Sequence, residues 1–467
     1  MTAAAEVLSR YEIIREFRRS KSGLVGIAIL LSLVIMTIYS AAAVPLESFR
    51  QWNSPNFWID LPKAAAPAWT NFGFGPKIPE HMVLHAADDA SISSSSEGGI
   101  RTVVHSYTVN FNYDSYPSDF MLLYSVRYGG TQPVLQVDVL RPDGNEFQIY
   151  FASLPSSQQG GGNNEFSARV FSTDRAIEES LRDYTGVFAY RQDPSRPQVM
   201  IFADSQESKV LKGTYVIRET FYLFEPNDSV LDSGVILGGK VYGLMGTDEL
   251  RRDLAIGILW GAPVALFIGL TVSIAAILIG LIYGVVAGYK GNRTDEGLMR
   301  INDVFYCLPT LPLLIILSVT VGQSIFLITG FLVIFGWVGM AKISRSIALQ
   351  LKNQQYVEAA KLMGQSDFNI IFRHIIPQLL PLTFASIAIA VPAAILGEAA
   401  LSFLGLGDPT IPTWGQILHE ANTAGAAERG LWWWIIPPGL MIAITGLAFA
   451  LIGNALDAIV NPRSRRM

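Results

Sequence analysis

The apolar run from Ile256 to Tyr289, which contains no charged side chain, constrains this chain more than any other feature. A bilayer core is crossed by about 20 such residues at roughly 1.5 Å each. Backbone N–H and C=O groups find no water there, so the segment must close its own hydrogen bonds as a helix. Five further segments meet the same demand. They run from Leu24 to Val44, about Val304 to Val321, about Ser324 to Ile343, about Leu379 to Leu404 and about Trp432 to Leu456. The pattern predicts an all-α polytopic membrane bundle of six transmembrane helices. The start of the long run, around Pro263, is expected to be an interfacial stretch before the span proper. Only 16% of the residues are charged, against about 25% in soluble domains.

Lysine and arginine set the expected orientation, because short loops rich in them stay in the cytoplasm. Arg10, Arg15, Arg18, Arg19 and Lys21 precede the first span. Lys290, Arg293 and Arg300 follow the second, and Lys342, Arg345, Lys352, Lys361 and Arg373 lie between the fourth and fifth. Arg463, Arg465 and Arg466 close the chain. The alternate loops are poor in positive charge, so both termini are expected to be cytoplasmic. Ala41-Ala42-Ala43 looks like a signal-peptidase site, but the run before it is long for a signal peptide. A retained anchor is the better reading.

Residues 45–240 follow a different rule. Thr102–Tyr113, Phe120–Val126, Val134–Leu140, Phe147–Phe151, Gln198–Phe202 and Gly213–Phe224 read as strands, and Ala176–Arg182 as a short helix. Ser91–Gly99 and Gln158–Asn164 read as loops or flexible links. The expected organisation is therefore three parts. Residues 1–44 hold the N-terminal segment and first span, and 45–240 a β-rich extracytoplasmic domain inserted between helices 1 and 2. Residues 241–467 hold the remaining five spans. The insert can be a plain external cap, a docking surface for a soluble protein or a wall around a pore entrance. His81, His85 and His105 share no metal-like pattern with Asp or Cys, and Cys307 is the single cysteine, so no metal site is expected. Asn227-Asp228-Ser229 is a glycosylation sequon.

The connection at 353–377, between the fourth and fifth spans, carries the most information. Gln354–Met363 is helix-forming, and Gly364 suits the left-handed residue that closes a helix. Ser366 is a good N-cap for the next helix, with Asp367 favourably placed in its first turn. Spacing puts Phe368, Ile371, Phe372 and Ile375 on one face, suited to packing on the membrane helices. Pro377 then redirects the chain into the fifth span. This predicts a short protruding helix that exposes Glu358, Ala359 and Ala360 to a partner.

Here the sequence resembles a known family. Glu358-Ala359-Ala360, three residues, Gly364 and a stretch ending in Pro377 match the EAA motif of ABC importer permeases. His374 departs from the general motif, yet Phe372-Arg373-His374-Ile375-Ile376-Pro377 is the form of the dipeptide/oligopeptide branch. Three more stretches resemble its C-type subunit. Residues 246–253 (GTDELRRD) match an element before the second span, with Arg251 where the family has glycine. Residues 398–407 (EAALSFLGLG) and 412–415 (PTWG) match sequences near the outer end of the fifth span, and the tail 456–463 matches loosely. The insert lies outside the resemblance, since relatives have a much shorter loop there.

The resemblance implies a permease subunit that couples to ATPases through Glu358, Ala359, Ala360, Gly364, Ser366, Asp367 and Arg373. It implies a second homologous permease, two cytoplasmic ATPase subunits and an extracytoplasmic solute-binding protein as partners, in the cytoplasmic (inner) membrane. ATP and Mg2+ belong to the ATPases: this chain has no G-x-x-x-x-G-K-[ST] loop. It is expected to be a transporter subunit and not an enzyme, with no cofactor of its own. Glu398, inside the fifth apolar run, is costly there unless it faces a pathway or partner. With Ser402 and Phe403 it is a candidate for the pathway or gate. Gly280, Gly284 and Gly288 sit at helix-packing intervals, and Trp432, Trp433 and Trp434 read as an interfacial belt. A gradient-driven transporter would need buried ionisable groups in the spans, which are scarce, and a membrane-anchored receptor would need fewer spans.

Overall fold

A computed structural model describes residues 10–73, 75–154, 164–190 and 192–460. The chain divides into two compact units, one of residues 1–53 with 256–467 and one of residues 54–255. Of the expected link Gln158–Asn164, residues 158–163 lie outside the described residues, as do the arginines 463, 465 and 466, and Asn164 begins a strand.

In the first unit, Lys21–Ala43, Leu254–Lys290, Ile325–Leu351, Asp367–Phe403 and Trp432–Ile459 are each long and apolar enough to cross a membrane. Two further helices, Asn292–Cys307 and Thr310–Val321, meet the test together across an 80° bend. The chain is thus a multi-pass membrane protein. The third span expected at Val304 to Val321 is divided by this bend. Leu308 stands before Pro309, whose ring disfavours helical backbone in the residue ahead of it, and Leu308 is extended (φ −72°, ψ 131°). The stretch around Pro263, expected to precede the span, is instead part of one 37-residue helix.

Three glycines explain how that helix meets its neighbour Val338–Leu351. A Cβ on Gly280 would stand 2.4 Å from the Trp337 carbonyl oxygen, and one on Gly284 would stand 2.1 Å from the Ala341 oxygen. On Gly288 it would stand 2.6 Å from the Arg345 oxygen. Ser344 Oγ donates to the Gly280 carbonyl at 3.0 Å. The backbones touch, as small-residue helix faces allow. The tryptophan belt is corrected: Trp432 is exposed, but Trp433 and Trp434 are buried.

The second unit is a β-sandwich. One sheet has the order β1 (Met82–His85), β9 (Ser229–Leu237), β4 (Phe120–Tyr128), β7 (Asn164–Phe171). The other has the order β2 (Ala90–Glu97), β3 (Ile100–Phe111), β8 (Gly213–Leu223), β5 (Val134–Leu140), β6 (Glu146–Ser153). Every pairing is antiparallel, and inward residues such as Val109, Phe111, Leu122, Val137, Phe221 and Val235 share one core. The expected helix forms as Arg175–Arg182, capped by Asp174, which accepts from Ala176 N. Two expectations fail. Ser91–Gly99 is not a loop: its polar residues form β2, paired to β3 along its whole length, and Gly98 and Gly99 supply the positive φ of a tight hairpin turn. Gln198–Phe202 is not a strand but part of the helix Pro197–Phe202, started by a proline in its first turn.

The GTDELRRD stretch shows how Arg251 serves at a glycine position. Its φ is +66°, the left-handed region that disfavours side chains. Its guanidinium donates to Asp119 and to the Leu61 carbonyl, both at 2.6 Å, which offsets that strain. Arg252 and Asp248 form a fully buried ion pair at 2.6 Å.

Between the sheets lies a polar cluster. Tyr107 Oη donates to Glu219 at 3.2 Å and lies 2.7 Å from Ser233 Oγ, which is 2.6 Å from His105 Nδ1. Burial pushes the Glu219 carboxyl up to about 8 and the His105 imidazole down.

Two predictions follow from packing and from burial. Gly284→Ala should lower the thermal midpoint of the purified chain. Gly297→Ala, where a Cβ meets nothing within 4 Å, should leave it unchanged or raise it. Between its ordinary value near 4.5 and about 8, folded Glu219 holds a proton that the unfolded chain lacks. Stability of the sandwich should therefore fall as pH rises through that window. Hydrogen exchange in β3 and β8, corrected for intrinsic rate, should show this slope in the native protein and a flatter one in Glu219→Gln.

Candidate functional site

The connection between Val338–Leu351 and Ile376–Phe403 folds as a helix, a turn and a second helical segment. The first helix is Gln355–Leu362. Its end is closed by Gly364 at φ +78°, with Gln365 N donating to the Ala360 carbonyl at 3.2 Å and Met363 N to that of Ala359 at 3.0 Å. Ser366 caps the next helix, Asp367–Ile370, by accepting from Asn369 N at 3.4 Å. The following residues, Ile371–Ile375, form a turn of π-helix that runs into the span.

Two faces result. Val357, Ala360, Ile370, Ile371 and Ile375 are buried in one cluster with Ile277, Leu281 and Val285 of the long helix and Met340 and Ala348 of its neighbour. Glu358 and Ala359 are exposed as expected, whereas Ala360 is buried and serves as an anchor. Phe368 and Phe372 were expected to pack inward with Ile371 and Ile375. They lie outward instead, with ring centroids 4.5 Å apart. The wider π turn shifts the register by which i, i+3 and i+4 positions share a face. Leu362 is 88% exposed and Met363 73%, so the charged tip carries an apolar surface that nothing among the described residues covers.

The loop is tied to the helices around it. Tyr289 Oη donates to Asp367 at 3.2 Å, and Lys352 Nζ donates to the Gly288 carbonyl at 3.3 Å. Arg345 grips Asp295 with two hydrogen bonds of 2.5 and 2.6 Å. His374 Nε2 lies 2.9 Å from Gln365 Oε1 and so joins the π turn to the helix–helix turn. Arg373 is exposed. A cleft of about 1330 Å³ is lined by Glu358, Lys361 and Asp367 together with Lys290, Arg293 and Lys352.

The residues expected at a pathway have different surroundings. Glu398 is buried and accepts from Ser402 Oγ at 2.6 Å, and the Thr413 hydroxyl also reaches it. Thr413 caps the helix Trp414–Thr423, and Trp414 Nε1 donates to the Ile258 carbonyl at 3.0 Å. Gly415 lets that helix lie against Ala399, where a Cβ would stand 2.7 Å from its Cα. Glu398, Ser402 and the P-T-W-G turn are thus one packed joint, while Phe403 is exposed. A separate cavity of about 200 Å³ lies among the spans, lined by Ser273, Thr310, Leu332, Phe335, Ala390 and Ala394 among others. Sequence reasoning missed it. Its available signal was the alanine-rich stretch of the fifth span, 385–394.

The profile of the binding-protein-dependent transport system inner membrane component family matches residues 276–466. The dipeptide transport system permease protein DppC of Bacillus subtilis is 40% identical over 222 residues, 47% of this chain and 69% of the relative. The oligopeptide transport system permease protein OppC of the same organism is 36% identical over 222 residues, 47% of this chain and 72% of its own. OppC of Haemophilus influenzae is 36% identical over 226 residues, 48% of this chain and 71% of its own.

The turn at Gly364 is testable by itself. Gly364→Ala leaves the added methyl in open space, so its cost is the left-handed backbone alone, about 1 kcal/mol. Hydrogen exchange should quicken across 355–370 and stay unchanged in the helix 254–290.

Proposed function

Because the chain belongs to the family of binding-protein-dependent transport system inner membrane components, we propose that it is one permease subunit of an ATP-driven importer of peptides or similar oligomeric solutes. The observation that carries this reading is the 355–375 loop. It presents Glu358, Ala359, Leu362 and Met363 outward while its other face is locked into the bundle. A partner needs such a surface to move the spans as a unit.

On this reading the chain crosses the inner membrane six times, with the loop and both termini in the cytoplasm and residues 45–240 outside. Two ATPase subunits bind the exposed tips of this chain and of a second, homologous permease, and an external binding protein delivers the solute. ATP and Mg2+ sit on the ATPases. Their closure pulls the Gln355–Leu362 helix, with Glu358 fixing register through its charge. Gly364, Ser366 and Asp367 keep the turn rigid, and Arg373 extends the docking surface. Val357, Ala360 and Ile371 carry the displacement to the long helix, and the pathway opens alternately to either side. The Glu398–Ser402 joint, with Phe403 beside it, acts at the outer gate. The small-residue cavity near Ser273 and Ala394 lies on the path. No bond of the solute changes in this chain.

Co-expression with the partner subunits and reconstitution in lipid tests the reading. The complex should hydrolyse ATP and take up peptide, and Glu358→Ala and Gly364→Ala should each reduce uptake per ATP hydrolysed. A chain that purifies without any ATPase and carries solute down an ion gradient would refute it.

A further inference from the structure

Among the described residues, the two sheets of the sandwich end in the edge strands β1, β7, β2 and β6. A free edge is a row of backbone N–H and C=O groups ready to pair with any extended chain, and proteins guard such edges. Three of these edges carry a guard. β1 has only four residues, and its His85 N–H donates to Asp89 at 3.0 Å. β6 is bulged, with Ile149 left over where the register with β5 shifts, and its Gln148 N–H donates to the Tyr184 hydroxyl at 3.1 Å. β7 carries Glu165 and Arg169, which pair with Arg127 and Asp60.

β2 has none of these devices. It runs for eight residues in unbroken register with β3, holds no proline or lysine, and has its one charge at the last residue, Glu97. The hairpin turn shows which of its backbone groups are free. Gly98 and Gly99, at φ +58° and +86°, form a two-residue turn that sets Glu97 opposite Ile100. Such a turn closes on a pair that exchanges both hydrogen bonds, and along an antiparallel ladder those pairs alternate. Glu97, Ser95, Ser93 and Ser91 therefore bond to β3, while Ser96, Ser94 and Ile92 turn N–H and C=O to the open edge. Among the described residues no hydrogen bond from elsewhere in the fold reaches those groups. Ile92 and Ser94 stand opposite His105 and Val103, and all four line a cleft of about 380 Å³. Val103, Leu223 and Val230 make its walls largely apolar.

We propose that the free edge of β2 takes a short extended peptide as an added strand, with alternate side chains of the peptide entering this cleft. Outward N–H and C=O groups at every second residue match the backbone of an extended peptide. A residue set opposite Ile92 or Ser94 lies on the same face as they do, so its side chain meets the cleft. β2 itself offers mostly serine, with no aromatic or arginine side chain of the kind that anchors a dedicated protein partner. Recognition is made to the backbone and tolerates many sequences, as an importer of varied peptides requires. That the added strand is a solute peptide rests on the importer reading above; the free edge does not.

Hydrogen exchange of the full chain in lipid nanodiscs, without ATPase subunits, tests this with the blocked peptide acetyl-Lys-Val-Thr-Val-Lys-amide. Saturable slowing should appear across 91–97. Methylating the backbone nitrogens of both valines removes one of the two alternate sets of donors, and methylating that of the threonine removes one from the other set. One of these peptides should bind about tenfold or more weakly, and the other nearly as well as the parent. Ser94→Pro removes an outward N–H and spares the ladder to β3. That variant should keep slow exchange in β3 and β8 and lose affinity about tenfold or more, whereas Ser94→Ala should bind like the parent chain. Equal tolerance of both methylated peptides, or no binding, overturns the proposal. Slow exchange at 91–97 in the free chain that fades on dilution also overturns it, because a second copy then fills the edge. Failure of the importer reading is seen separately, in uptake and ATPase co-elution, so either can fall without the other.

Discussion

The helical unit depends on the backbone contact between Leu254–Lys290 and Val338–Leu351. In a bilayer, burying apolar side chains against each other gains little over burying them in lipid. Helices are therefore held by close approach, and Gly280, Gly284 and Gly288 are what permit it here. The same contact places Lys352 beside the Gly288 carbonyl and Arg345 beside Asp295. It also builds the floor, Ile277 to Val285 with Met340 and Ala348, on which Val357, Ala360 and Ile371 rest. Separating the two helices would remove the support of the loop. Packing of the helices and presentation of the exposed loop tip are in this sense one structural fact.

What the sequence disclosed follows from how local each signal is. The apolar runs, the Gly364 turn and the Ser366 cap depend on a few adjacent residues, and all are found in the structure. The 80° bend at Leu308-Pro309 was also locally written, in the residue before the proline, but the continuous hydropathy across it concealed the break. The outward Phe368 and Phe372 were not legible. A π turn changes which positions share a face, and nothing in the residue types of Ile371–Ile375 announces one. Ala360 illustrates a subtler loss. A small residue suits a partner's close approach and a neighbour's close approach equally, and only the fold decides between them.

In the sandwich the errors have a different origin. β2 is a run of serines, with little side-chain preference for a strand, and it exists because β3 offers it a complete ladder. Gln198–Phe202 is a short apolar run of the kind a buried strand shows, yet Pro197 starts a helix whose Met200, Ile201 and Phe202 all enter the core. Arg251 shows the same principle at a single residue. Its left-handed backbone looks prohibited from sequence, and becomes tolerable through distant acceptors at Asp119 and Leu61.

Glu398 was singled out because an ionisable group in an apolar run demands an explanation. The structure supplies one in its hydrogen bonds to Ser402 and Thr413, which fix the helix Trp414–Thr423 against the end of the fifth span. That does not make the residue inert. A joint whose stability rests on a few buried polar contacts, and not on broad apolar packing, can exchange those contacts for others when the spans rearrange. A packed apolar joint has no alternative partners to offer. Under the proposed mechanism the glycine contact and the polar joint in the fifth span therefore suit opposite tasks, the first carrying displacement and the second yielding to it.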